Sequence, residues 1–244
     1  MQKLNLFLLL AAISHTPVFS QELHISSGAI VKKVTIDKNA LIIDKATGRK
    51  ISYDEYRTLT KNDMNAYRLE NLYNEFGEID SFRLRPATTE ERGDNRTYEK
   101  DLTLRPKIGE VMPLFVMKGL DGKTYRSSDL KGNIVVLSFW LQLKRPFWDV
   151  GITQKMQDIL KPYLGAGDFI SLGTLDESRE NLEKFIVSQP LPFIPVPNSY
   201  GFNEKFAITA IPSFIVIDKS ENVAAYIEGY AFDELKKALE NLTK

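Results

Sequence analysis

Residues 134–140 read Ile-Val-Val-Leu-Ser-Phe-Trp, a run with one hydroxyl and no charge. An apolar stretch without alternation has no side to turn to water, so it predicts a central strand covered on both faces. Its neighbours then have to supply the covers. Ile152, Met156, Ile159 and Leu160 recur at helical spacing from about Asp149, and Phe169–Thr174 reads as the next strand. Ser178 can cap a helix that turns Leu182, Phe185 and Ile186 inward, and the prolines between Pro190 and Pro197 forbid its continuation. Strands at Ser213–Ile217 and Val223–Ile227 flank a turn at Asp218–Asn222. A last amphipathic helix carries Phe232, Leu235, Leu239 and Leu242. This alternation predicts an α/β sheet with helices on both faces.

Ahead of it the pattern is different. Val34, Ile36 and then Leu41–Ile43, with a turn at Lys45–Gly48, read as hairpin strands, and Ser52 with Glu55 three positions on makes a capping box for a short helix. A second hairpin pairs Ala66–Tyr73 with Ile79–Arg85 and closes at Pro86. Residues 21–87 are therefore expected to form a small α+β module, 88–106 a polar linker and 107–244 the main domain. In the second hairpin Tyr67, Arg68, Tyr73, Phe82, Arg83 and Arg85 interleave aromatic and basic side chains, as a nucleic-acid surface can. Period-two alternation instead predicts aromatics inward and arginines in water, and no nucleic-acid partner.

Residues 1–20 read as a signal peptide: Lys3 is the positive flank, Phe7–Ile13 the apolar stretch, and Val18 and Ser20 the small residues before Gln21. The apolar stretch is too short to span a bilayer, so no integral membrane segment is expected after cleavage. Gln21 cannot take a thioether lipid, so a periplasmic or extracellular protein without that anchor is expected. Thirty-two basic residues balance 32 acidic ones, which gives no field toward nucleic acid or an anionic membrane. The chain has no cysteine, and its 2 histidines are His15, inside the leader, and His24. No disulfide can form, and no metal site or other cofactor is expected.

The stretch IGEVMPLFVMKGLDGKTYRSSDLKGNIVVLSFW, from Ile108 to Trp140, resembles the opening of exported thioredoxin-like proteins of the TlpA and AhpC/TSA (redoxin) type, and the resemblance covers about residues 107–244. It implies a thioredoxin-like sheet. In that family a Cys-X-X-Cys loop follows at the head of a helix; laid on this sequence the loop is Lys144-Arg145-Pro146-Phe147, with Lys144 and Phe147 in the cysteine positions. AITAIPSFIVIDKSENV resembles the segment with the family's cis-proline, which implies a cis Ile211–Pro212 bond facing the loop and framing a groove for extended peptides. Ser138 stands where thioredoxins proper carry a buried acid.

Disulfide exchange begins with a thiolate, and so does peroxide reduction, so neither has an attacking group in this chain and no catalytic residue is assigned. The leading expectation is a redox-inactive module that binds an envelope protein or extended peptide, with Trp140, Leu143, Phe147, Trp148, Ile211 and Pro212 around the groove. The competing role for Phe147 and Trp148 is core filling. Lys144 and Arg145 at a helix N-terminus could instead hold a carboxylate or phosphate. Lys144 as a Schiff-base amine, or paired acids such as Asp176 with Glu177 and Glu90 with Glu91, would suit another enzyme chemistry, but capping and solvation account for those acids. The alternative with a redox setting is an accessory member of a thiol-disulfide or peroxiredoxin-type system, acting with a cysteine-bearing partner.

Overall fold

A computed structural model of the chain describes Ile36, residues 38–93 and residues 100–243. The leader, His24 and Val34 lie outside the described residues. The first sheet holds β1 (Ile42–Asp44), β2 (Lys50–Ile51), β3 (Tyr67–Tyr73) and β4 (Ile79–Pro86) in the order β2-β1-β4-β3. Between β2 and β3 runs α1 (Tyr53–Thr60), where the Ser52 hydroxyl accepts from the Glu55 amide, as the capping pattern predicts. Ile42, Ile51, Tyr56, Phe82 and Leu84 form a core of their own beneath this sheet.

The other face of the small sheet departs from the expectation of arginines in water. Glu70 on β3 is buried and accepts from Arg83 Nε at 2.7 Å, Arg85 Nε at 2.5 Å and Lys45 Nζ at 3.2 Å. Glu91, on the one-turn helix α2 (Thr89–Gly93), takes the Arg85 guanidinium in a two-point bond at 2.6 and 2.7 Å, and Asp101 accepts from Arg83 at 2.6 Å. Alternation did send the arginines to the opposite face, but Glu70, Glu91 and Asp101 cover them there. Fork geometry and several shared partners make this network stronger than isolated surface pairs.

The second sheet is built on β7 (Ile134–Phe139), which is buried at every position. Before it come the ribbon β5 (Val116–Lys118) and β6 (Thr124–Arg126). After it come α3 (Val150–Leu160), β8 (Phe169–Thr174), α4 (Arg179–Ser188), β9 (Ile194–Val196) and α5 (Gly201–Lys205), then β10 (Ser213–Ile217), β11 (Val223–Glu228) and α6 (Phe232–Leu242). The strand order is β11-β10-β7-β8-β9, with β7 parallel to β8 and antiparallel to β10. Ile134, Val136 and Trp140 face one core with Met156, Leu160, Leu182, Leu235 and Leu239 from α3, α4 and α6. Val135, Leu137 and Phe139 face the other, covered by α5 through Phe202, by Phe206 beyond it, and by the β5–β6 ribbon. β9 was hidden in the sequence by its prolines. It is an edge strand, where Pro195 removes no ladder bond that another strand needs.

The small sheet is not loose on the large one. Where β3 turns into β4, the Glu75 carbonyl accepts from the Val116 amide at 2.7 Å and the Tyr73 carbonyl from Lys205 Nζ at 3.4 Å. Gly77 meets Gly201 backbone to backbone: a Cβ on Gly201 would overlap the Gly77 carbonyl oxygen, and Phe202 packs its ring on Gly77. Gly77 also has φ of 71°, the left-handed region that glycine enters without cost.

Hydrogen bonds from the Arg85 side chain hold the Glu91 carboxyl at about 2, below the ordinary 4.5. Glu70 is also lowered: burial alone would raise it, but the bonds from Arg85 and Arg83 outweigh that. A depressed carboxylate lends stability above its unfolded value and loses it as pH falls through the folded one. The network should therefore be fully effective above about pH 5 and weaken steadily toward pH 2. Urea midpoints at stepped pH should fall over that window, and Glu91→Gln should flatten the fall.

Candidate functional site

β7 and β10 end together at one edge of the sheet, since Phe139 pairs with Ser213. That register sets Trp140 and the loop after it beside Pro212. The loop closes one turn, with the amides of Phe147 and Trp148 each donating to the Lys144 carbonyl at 3.0 Å. α3 starts at Asp149, whose carboxylate caps it by accepting from the Ile152 amide at 3.0 Å. Among the described residues two peptide bonds are cis, Arg145–Pro146 in this loop and Ile211–Pro212 across from it. The ends are joined through the turn after β11: the Gly229 amide donates to the Pro212 carbonyl at 2.7 Å, and the Tyr230 hydroxyl to the Phe147 carbonyl at 3.2 Å.

The residues expected around the groove divide sharply. Trp140 and Trp148, 0% and 2% exposed, and Leu143 belong to the first core and offer no surface. The rings of Trp140 and Trp148 meet edge to face at 4.6 Å, and Phe193 stacks on Trp140 at 6.2 Å. Gly173 on β8 makes room for Phe193, because a Cβ there would run into its ring. For Trp148 the core-filling role is therefore what the structure shows, and bulk beneath the loop is the physical reason. Pro212 is buried, while Phe147 and Ile211 are half-buried; Lys144, Arg145 and Pro146 are exposed. Val150, 74% exposed and three residues after Phe147, and Tyr230, 46% exposed and bonded to the Phe147 carbonyl, add apolar surface that no sequence pattern marked.

The electrostatics turn against an anion site. The head of α3 already holds the Asp149 carboxylate, so the amides that would cradle a phosphate face an acid. The side chains of Lys144 and Arg145 make no hydrogen bond or ion pair among the described residues. Ser138, fully buried, donates its hydroxyl to the Leu172 carbonyl at 3.2 Å and is spent on the backbone of β8. Among the described residues no group of three or more His, Cys, Asp or Glu could hold a metal ion, and no helix is long and apolar enough to cross a membrane.

On the opposite wall, Ile211 is reached through a turn that residues of the inter-sheet segment hold. Lys100 Nζ donates to the Ile208 carbonyl at 2.7 Å and pairs with Glu204 at 2.8 Å. Arg105 donates to Thr209 Oγ1 at 2.7 Å, pairs with Glu228 at 3.0 Å and lies over the Tyr226 ring at 4.5 Å. Ala207 in that turn has φ of 48°, a left-handed conformation that costs a non-glycine residue about 1 kcal/mol and persists where neighbours hold it. None of these residues was singled out from the sequence, where 88–106 reads only as polar.

Strand order, the position of the loop at the head of α3 and the proline segment facing it define a thioredoxin-like fold, joined to a separate small module. No family model matches the chain. Among curated proteins it is 25% identical over 143 residues to thiol-disulfide oxidoreductase ResA of Geobacillus thermodenitrificans, covering 55% of this chain and 78% of that one. It is 27% identical over 139 residues to ResA of Bacillus anthracis, covering 57% and 78%. Solved structures similar to it include the thioredoxin domain of a thiol-disulfide oxidoreductase from Bacteroides vulgatus (20% identity, TM-score 0.45, 57% of this chain and 99% of that one). Another is the exposed lipoprotein thioredoxin Etrx1 of Streptococcus pneumoniae (24% identity, TM-score 0.44, 53% and 100%).

Both tryptophans of the chain are enclosed. The native protein should therefore emit at short wavelength with little acrylamide quenching, and unfolding should both red-shift the emission and expose it. Trp148→Ala should cost about 3–5 kcal/mol of stability in a urea titration.

Proposed function

We propose that this chain is an exported, redox-inactive thioredoxin-like protein that binds an extended peptide or envelope protein between the Lys144–Phe147 loop and the Ile211–Pro212 segment. The observation that carries the reading is the complete lack of cysteine in a chain that keeps the loop, helix and proline arrangement around the place where thiols would stand. Without a thiolate there is no attack on sulfur or peroxide, which leaves recognition as the use of the site. Export rests on the leader reading of residues 1–20.

In this reading the bound strand runs alongside Ile211, whose amide and carbonyl make no hydrogen bond to any described residue. Its backbone supplies the bonds, as in strand addition. An apolar side chain of the ligand then rests on Phe147, Val150 and Tyr230. The hydrogen bonds and close contacts described for Tyr73–Gly77 reach Val116, Lys205, Gly201 and Phe202 rather than this loop or Ile211 and Pro212, which supports an open site.

The test is fluorescence anisotropy against a panel of labelled ten-residue peptides. Phe147→Ser and Ile211→Asn should each weaken binding about tenfold in a folded protein; unchanged binding in both variants refutes the groove. The purified chain should neither reduce insulin nor consume peroxide.

The likeness to the ResA proteins favours a second reading, an accessory role beside a cysteine-bearing partner in a thiol-disulfide system. Lys144→Cys with Phe147→Cys would then recover insulin reduction, because the scaffold would still hold the geometry of exchange. A folded but inert double variant counts against it.

A further inference from the structure

The hydrogen bonds and ion pairs described above that cross from residues 38–105 to the thioredoxin-like domain end in few places. They reach Val116, residues 203–209 and Glu228, and the Gly77 contact adds Gly201 and Phe202. Residues 201–209 lead directly into Ile211 and Pro212. A segment expected to be a plain linker therefore grips the stretch of chain that delivers one wall of the site.

The chemistry of the grip is specific. The turn after the short helix α5 folds back on it, the Phe206, Ala207 and Ile208 amides donating to the Phe202, Glu204 and Asn203 carbonyls, and holds Ala207 at positive φ. Lys100 supplies an ammonium to the Ile208 carbonyl and, at 3.5 Å, to that of Asn203. Arg105 approaches the Ala207 carbonyl at 3.5 Å and bonds the Thr209 hydroxyl. Thr209 in turn donates to Glu228 at 2.7 Å, beside Ser213 in the ladder. Between the two cations, Asp101 points the other way and is held by Arg83 and Lys45 of the small module.

We propose that Lys100 and Arg105 are positioning residues that hold the Asn203–Thr209 turn and thereby set where Ile211 stands, with Asp101 anchoring both to the small module. The module is then a brace for the proline segment. The functional meaning rests on the peptide-binding reading above, but the test does not, because it reads no peptide.

Because the chain has no cysteine, Ile211→Cys introduces a single thiol whose reaction with dithionitrobenzoate reports the motion of that position alone. Adding Lys100→Met and Arg105→Met should speed the reaction about tenfold, as losing hydrogen bonds to charged donors raises local opening. Lys100→Arg, which keeps a donor, should stay within about twofold of the parent, and Asp101→Asn should fall between. A rate unchanged by the double substitution overturns the proposal. So does an equal rise at a control thiol placed by Ala238→Cys on α6, since that marks general loosening. If Ile211→Cys does not fold, amide hydrogen exchange of residues 203–213 with Ile211 intact gives the same comparison. Exchange about tenfold faster in the double variant and within about twofold of the parent in Lys100→Arg supports the brace; exchange equal in all variants sinks it.

Discussion

The pairing of β7 with β8 on one side and β10 on the other is the interaction on which the remaining structure rests. Six consecutive residues of β7 are enclosed, and each face of the strand belongs to a different core. One strand therefore joins α3, α4 and α6 on one face to α5 and the β5–β6 ribbon on the other. Its last residue pairs with Ser213, and so fixes the loop and the proline segment at a common edge. The site is a consequence of where a buried strand runs out.

At that edge, space is governed by aromatic packing. Trp140, Trp148 and Phe193 fill the volume behind the loop, and Phe214 meets Trp140 edge to face at 5.8 Å. Large rings with two torsions each lose little freedom when fixed, so such a cluster stiffens the ground beneath the loop. The residues left facing outward are Lys144, Arg145, Pro146 and part of Phe147. Beside this rim the Asp149 carboxylate is occupied as the cap of α3.

Most of the fold was legible because it follows from short-range rules. The Ser52, Asp149 and Ser178 caps, the continuous apolar run of β7 and the helical spacing of α6 each need only a few neighbouring residues to be recognised. The site was less legible. Trp140 and Trp148 look alike whether they line a groove or fill a core, and only the third dimension distinguishes the two. β9 reads as a breaker until one knows that it lies at an edge. Lys100 and Arg105 have no local signature, because their side-chain hydrogen-bond partners are 102 to 123 residues away in the chain, and Asp101 reads locally only as the cap of the turn Leu102–Leu104.

The seam between the small module and the sheet has one further consequence. Gly77 and Gly201 meet main chain to main chain, and the Glu75 bond to Val116 is likewise amide to carbonyl. A junction read by peptide groups is indifferent to what most side chains around it are, so Glu75, Phe76 and Val116 are free to drift under mutation while the two bodies keep their mutual pose. The two glycines have no such latitude, and a lineage that lost either would have to rebuild the joint.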